Sequence, residues 1–115
     1  MNTRETGRIG EDIAARYLVE TMGARILARN YTVRGGELDI VAEKDGMILF
    51  VEVKLRAKDS GLDSVNLTKI RRLSRTGMMF LQKYHLTGLT ARFDLAVVRP
   101  PDDVYYVERA FDYAP

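Results

Sequence analysis

The chain has 115 residues, 46% of them hydrophobic and 30% charged, with a formal net charge of +2. That length suits one domain over residues 1–115 with a real core, and no apolar run approaches the roughly 20 residues needed to cross a bilayer, so a soluble protein without a membrane partner is expected. There is no cysteine and a single histidine, His85, which excludes a zinc site of the thiolate and imidazole kind and leaves oxygen as the donor for any metal.

At the amino terminus, MNTRETGRIGEDIAARYL shows no apolar signal region or small-residue cleavage site, which together with the missing cysteines points to the cytoplasm. From Ile9 to Met22 the spacing of Ile13, Ala14, Tyr17, Leu18 and Met22 predicts a helix, with Gly23 as its stop. Glu11 falls inside the apolar arc of that helix. Either it benefits from the positive dipole of a first turn, or it belongs to a cluster of acids built with other elements.

ARILARN reads as a strand, and LDIVAEKDGMILFVEVK as a hairpin turning at Asp45-Gly46. LRAKDSGLDSV reads as a mobile loop. A second helix, capped by Asn66 or Thr68, runs to about His85 with Ile70, Leu73, Gly77, Phe80, Leu81 and Tyr84 at helical spacing. TARFDLAVVR is a buried strand, Pro100-Pro101 a bend, and VYYVER an edge strand. The resulting order is αβββαββ, an α/β fold with a mixed sheet flanked by helices.

With Asp45 and Gly46 as the turn residues, Lys44 faces Met47, Ala42 faces Leu49 and Ile40 faces Val51. Extended outward, the same register sets Asp39 opposite Glu52 and Glu37 opposite Lys54. Leu38, Ile40 and Ala42 then share an apolar side with Leu49, Val51 and Val53, while the charged residues share the other side with Val41 and Phe50. Two carboxylates across a strand pair repel unless a positive group lies between them. An Asp, a Glu and a backbone carbonyl such as that of Val53, completed by waters, suit Mg²⁺ or Mn²⁺. Lys54 would then hold a water or neutralise a phosphate. The alternative is a solvated hairpin face carrying a Glu37–Lys54 pair, against which Val41 and Phe50 count because they need cover.

Residues 54–75 hold seven bases (Lys54, Arg56, Lys58, Lys69, Arg71, Arg72, Arg75) against two acids, so this block is strongly positive while the remainder is net negative. A concentrated block of this kind fits a phosphate backbone, or else a solvated helix and loop. Arg34, before the hairpin, joins the candidate nucleic-acid contacts. His85 is read as a cap or surface residue, the Met78-Met79-Phe80 run as core with Met79 exposed, and Asp94 as a structural acid paired with Arg92. Tyr105 and Tyr106 alternate faces, leaving at most one free to stack on a base.

GELDIVAEKDGMILFVEVK resembles the core of the PD-(D/E)xK nuclease superfamily, an Asp followed on the adjoining strand by Glu-x-Lys. Together with GRIGEDIAARYL, ILARNY, FVEVKLR, LTKIRRL and RFDLAVV, nearly the whole chain resembles the YraN-like family of uncharacterised bacterial proteins, UPF0102. The resemblance implies a restriction endonuclease-like core related to Holliday junction resolvases. It implies Asp39 and Glu52 as metal ligands, Lys54 as the catalytic lysine and Glu11 as the first-helix acid. Leu38 stands where the superfamily name has a proline. The expectation is a Mg²⁺- or Mn²⁺-dependent endonuclease acting on nucleic acid, with structured or branched DNA as substrate. The alternatives are a nucleic-acid-binding module without cleavage and a protein-interaction domain. By analogy with resolvases, a homodimer is a further expectation.

Overall fold

The computed structural model describes residues 3–55 and 66–115, so the expected loop lies, but for Leu55, outside the described residues. Helix α1 spans Thr3–Glu20, strands β1 to β3 span Arg25–Val33, Gly36–Lys44 and Met47–Leu55, helix α2 spans Leu67–Lys83, and strands β4 and β5 span Ala91–Arg99 and Asp103–Phe111. The order is the expected αβββαββ. The five strands lie in sequence order, with β1 and β5 at the edges. All neighbours are antiparallel except β3 and β4, whose parallel pairing is bridged by α2 as a crossover.

Each helix covers one face. Ile13, Ala14 and Leu18 of α1 pack on Ile40, Ala42, Leu49 and Val51, whereas Leu73, Phe80 and Leu81 of α2 pack on Val41, Ile48, Phe50 and Phe93. The cover that Val41 and Phe50 require is therefore α2, and the solvated-face alternative fails for the body of the hairpin. No described helix is long and apolar enough to cross a membrane.

Local signals explain the element ends. Gly23, at φ +73°, reverses the chain after α1, and the Ala24 N–H closes back on the Leu18 carbonyl at 2.8 Å. Because α1 begins at Thr3 rather than near Ile9, Glu11 stands in mid-helix, and the first-turn dipole explanation for it is ruled out. Asp45 and Gly46 have φ of +52° and +79°, as a two-residue type I′ hairpin turn requires. Of the two candidate caps, Asn66 is used: its side chain accepts from the Lys69 N–H at 3.0 Å. His85 is exposed, just beyond the end of α2, and Met79 is exposed as expected.

The hairpin register holds from Lys44↔Met47 to Ile40↔Val51, and there the two strands part. Beyond that point β2 stays with β1 through Tyr31↔Leu38, Thr32↔Glu37 and Val33↔Gly36, while β3 stays with β4 through Glu52↔Leu95, Val53↔Ala96 and Lys54↔Val97. The sheet forks. Asp39 and Glu52 stand at the root of that fork instead of continuing the ladder. Leu38 departs from the expected side: it packs with Phe50 and Leu73 under α2, not with Ile40 under α1. Strict alternation along β2 breaks where the strand loses one neighbour and is free to twist.

The middle of α2 lies close to β2 and β3. A Cβ placed on Gly36 would fall 1.9 Å from Thr76 Oγ1, and one on Gly77 would fall 3.1 Å from the Phe50 ring. Gly36→Ala is therefore expected to lower stability by about 1–3 kcal/mol, as overpacking does elsewhere. A chemical-denaturation midpoint unchanged by the substitution would show that α2 is not pressed against the sheet at this point.

Candidate active site

Where β2 and β3 part, backbone groups lose their ladder partners, and side chains replace them. Asp39 Oδ2 accepts the Val53 N–H at 2.8 Å. In a strand, a residue's N–H and C=O leave on the same edge, so the Val53 carbonyl also faces the fork. Glu52 is buried, with 9% of its side chain exposed, and shares a hydrogen bond with Asp39. Burial and the neighbouring Glu52 push the Asp39 carboxyl up to about 8, against an ordinary value of 3.8.

Two lysines converge on the same acid. Lys54 Nζ lies 3.6 Å and Lys69 Nζ 3.2 Å from Glu52 Oε1. Burial and the adjacent Lys69 depress Lys54, the attraction of Glu52 notwithstanding. Burial acts on Lys69 in the same sense, but the hydrogen bond from Lys54 and the charge of Glu52 outweigh it and raise Lys69. Of the two, Lys54 is the member readier to release a proton. Lys54 turns to Glu52, and no Glu37–Lys54 ion pair is present among the described residues.

Glu11 approaches from α1. Its side chain is 14% exposed, Asn30 hydrogen-bonds to it, and Arg29 Nη2 lies 3.7 Å from Oε1, an atom without a hydrogen-bond partner among the described residues. Burial raises its carboxyl above the ordinary value, Asn30 and Arg29 oppose, and Glu37 adds to the rise. Glu11 also contributes to the rise of Asp39, so the acids of α1 and of the fork form one electrostatic cluster. Among the described residues, however, no group of three or more His, Asp or Glu side chains is disposed to hold one metal ion. Glu11 is an electrostatic neighbour of the Asp39–Glu52 pair.

The fork opens into a cleft of about 1050 Å³ between β2 and the first turns of α2, lined by Asp39, Glu52, Lys69, Arg72 and Arg75 among others. Arg75 Nη2 reaches the Gly35 carbonyl at 3.5 Å. Arg71 and Arg34 are exposed but lie outside that lining, and Arg56 and Lys58 lie outside the described residues. Of the expected nucleic-acid contacts, the structure therefore brings Lys69, Arg72 and Arg75 to the acids.

The fit to a divalent cation rests on the donor set. Mg²⁺ is commonly held by one or two carboxylates with waters filling the remaining positions. Asp39 and Glu52 supply two carboxylates, and burial together with the neighbouring Glu52 raises Asp39. These residues fit Mg²⁺ or Mn²⁺.

The model of an uncharacterised protein family, UPF0102, matches residues 10–98, which include both helices' site residues and the whole fork. The chain belongs to the UPF0102 family. A UPF0102 protein of Sulfurihydrogenibium sp. is 37% identical over 114 residues, covering 96% of this chain and 97% of the relative. UPF0102 proteins of Myxococcus xanthus and Syntrophus aciditrophicus are 42% and 45% identical over 98 and 96 residues, covering 83% and 81% of this chain and 77% and 75% of theirs. The UPF0102 match thus spans fork, cleft and core together.

Sequence reasoning did not anticipate the part of Lys69 at Glu52, having assigned it to the backbone-binding set. Its spacing carried the signal: Lys69 precedes Leu73 by four residues and Thr76 by seven, on the helix face that meets the sheet. The hold of Arg29 and Asn30 on Glu11 had no local signal, because it crosses from β1 to α1.

Proposed function

We propose that this protein is a metal-dependent nuclease that hydrolyses phosphodiester bonds in nucleic acid, structured or branched DNA being the favoured substrate. The observation that carries the reading is the placement of Asp39 and Glu52 in the lining of a cleft walled by arginines, with Lys54 Nζ 3.6 Å from Glu52 Oε1. Asp39 and Glu52 would hold Mg²⁺ or Mn²⁺, which when bound supplies a Lewis acid and a water of lowered pKa. Lys54, held beside Glu52 with a depressed pKa, is suited to orient a water or accept its proton. Lys69, Arg72 and Arg75 offer positive charge to the phosphate backbone, which positions a nucleic acid without reading bases. Glu11 adds its negative charge to the acid cluster from the opposite helix.

The test is incubation of the purified protein with branched, duplex and single-stranded DNA and Mg²⁺ or Mn²⁺. Asp39→Ala and Lys54→Ala are each expected to slow cleavage by about a hundredfold or more. Cleavage unchanged in both variants would remove these residues from the reaction.

One observation favours a second reading, a nucleic-acid-binding module of the same fold that does not cleave. Glu52 already has two lysine partners and Asp39 a backbone donor, so the fork is satisfied without a metal. That module would bind DNA with a steep salt dependence that survives Asp39→Asn and Glu52→Gln, and would show no turnover with any divalent ion.

A further inference from the structure

Lys69 sits where local physics disfavours a cation. It lies in the first turn of α2, its own N–H capped by Asn66, at the helix end whose dipole is positive, and no acid shares that turn. Local rules broken in this way are expected where a site requires it. What holds the side chain there is Glu52, 3.2 Å away, on the same oxygen that Lys54 approaches at 3.6 Å.

The two lysines are not equivalent. Lys54 is built into β3, paired with Val97 of β4, and its side chain is 16% exposed. Lys69 reaches in from a helix on a flexible four-carbon stem and is 33% exposed, at the wall of the cleft. A divalent cation brought to Asp39 and Glu52 meets like charge at short range, and Lys69 is the group free to swing away.

We propose that Lys69 holds the cation position of the metal-free site, competes with the divalent ion for Glu52, and turns out into the cleft when the ion binds. There its ammonium faces the space where a substrate phosphate would lie. This rests on the reading of Asp39 and Glu52 as metal ligands. It makes Lys69 a residue that lowers the affinity for metal while adding positive charge beside the substrate.

Calorimetric titration of Mg²⁺ into the wild type, Lys69→Met, Lys69→Gln and Lys69→Arg tests it. The two neutral variants are expected to bind the ion about tenfold more tightly than the wild type, and Lys69→Arg, which keeps the charge, about as weakly. The Gln variant, with its polar side chain, repeats the comparison should the Met variant fold poorly. Equal or weaker binding in the neutral variants overturns the competition while leaving the metal site intact. Absence of binding in every protein, with Glu52→Gln indistinguishable from the wild type, overturns the metal reading and this inference with it.

Discussion

Between pH 8 and pH 6 the affinity for Mg²⁺ is expected to fall about fiftyfold, with about one proton released per ion bound at the lower pH and almost none above pH 9. The cause is Asp39. Buried against Glu52, its carboxyl is pushed up to about 8, so below that pH the metal-free site is protonated and the ion must displace the proton. Titrations in buffers of different ionisation enthalpy would count the protons directly. An affinity that is flat from pH 6 to pH 9 would show that Asp39 is already ionised in the free protein.

The same group ties stability to pH in a definite direction. In the unfolded chain Asp39 loses its proton near the ordinary value of 3.8, whereas in the folded protein it keeps it to about 8. Between those values the folded state binds more protons, so the metal-free protein becomes less stable as pH rises through the window. Above it, no further change comes from this group. Asp39→Asn retains an oxygen for the Val53 N–H and offers an amide donor to Glu52. It is therefore expected to stabilise the metal-free protein at pH 8 to 9 by on the order of 2 kcal/mol while abolishing metal binding, the trade expected of a strained functional site. A midpoint at pH 9 no higher than that of the wild type would sink this account.

The second large effect lies away from the cleft. Asp94 is fully buried on β4 and accepts from three donors: the Arg92 Nε–H, shared between both oxygens at 3.0 Å, the Tyr106 hydroxyl at 2.6 Å and the Arg109 N–H at 3.0 Å. Arg109 has φ of +51°, and the β4–β5 register shifts between Phe93 and Leu95, so the carboxylate pins an irregular edge strand to the sheet. Burial and the bond to Asp94 hold the Tyr106 hydroxyl well above its ordinary pKa, and that ring stacks on Tyr17 of α1 at 5.7 Å. Asp94→Ala leaves the half-buried Arg92 and Tyr106 without their partner and is expected to cost about 3–5 kcal/mol. Asp94→Asn, which keeps one acceptor oxygen, should fall between. Urea denaturation gives the values; a loss below 1 kcal/mol for the alanine variant would mean that water replaces the carboxylate without penalty.

Tyr105 and Tyr106 illustrate how far local alternation carries. Their opposite faces were legible from strand periodicity, and Tyr105 is the exposed member. That Tyr106 serves Asp94 follows from pairing between β4 and β5, as does the part of Asp94 in fastening a bulge. The Arg92–Asp94 pair itself was legible, since residues two apart on a strand share a face.

The hairpin was the most legible element. Asp45-Gly46 specified a turn with two positive φ values, the turn specified the register, and the register set Asp39 and Glu52 on neighbouring strands. Extending that register outward failed beyond Ile40↔Val51, because β1 and β4 each hold on to one strand and the pair is drawn apart. Neither neighbour is visible in the hairpin's own alternation. Leu38 shows the consequence, having left the side its spacing assigned to it.

The sequence by itself determined the order of elements, the turn, and that Asp39, Glu52 and Lys54 would lie close together, because these follow from periodicity and short-range stereochemistry. Only the tertiary structure decided that the strands fork, that Lys69 meets Glu52, and that Glu11 adds its charge to that of the acids. Those outcomes depend on how closely α2 seats on Gly36 and how β3 pairs in parallel with β4. Contacts between residues so distant along the chain are chosen by packing and burial of the whole fold, which no local pattern encodes.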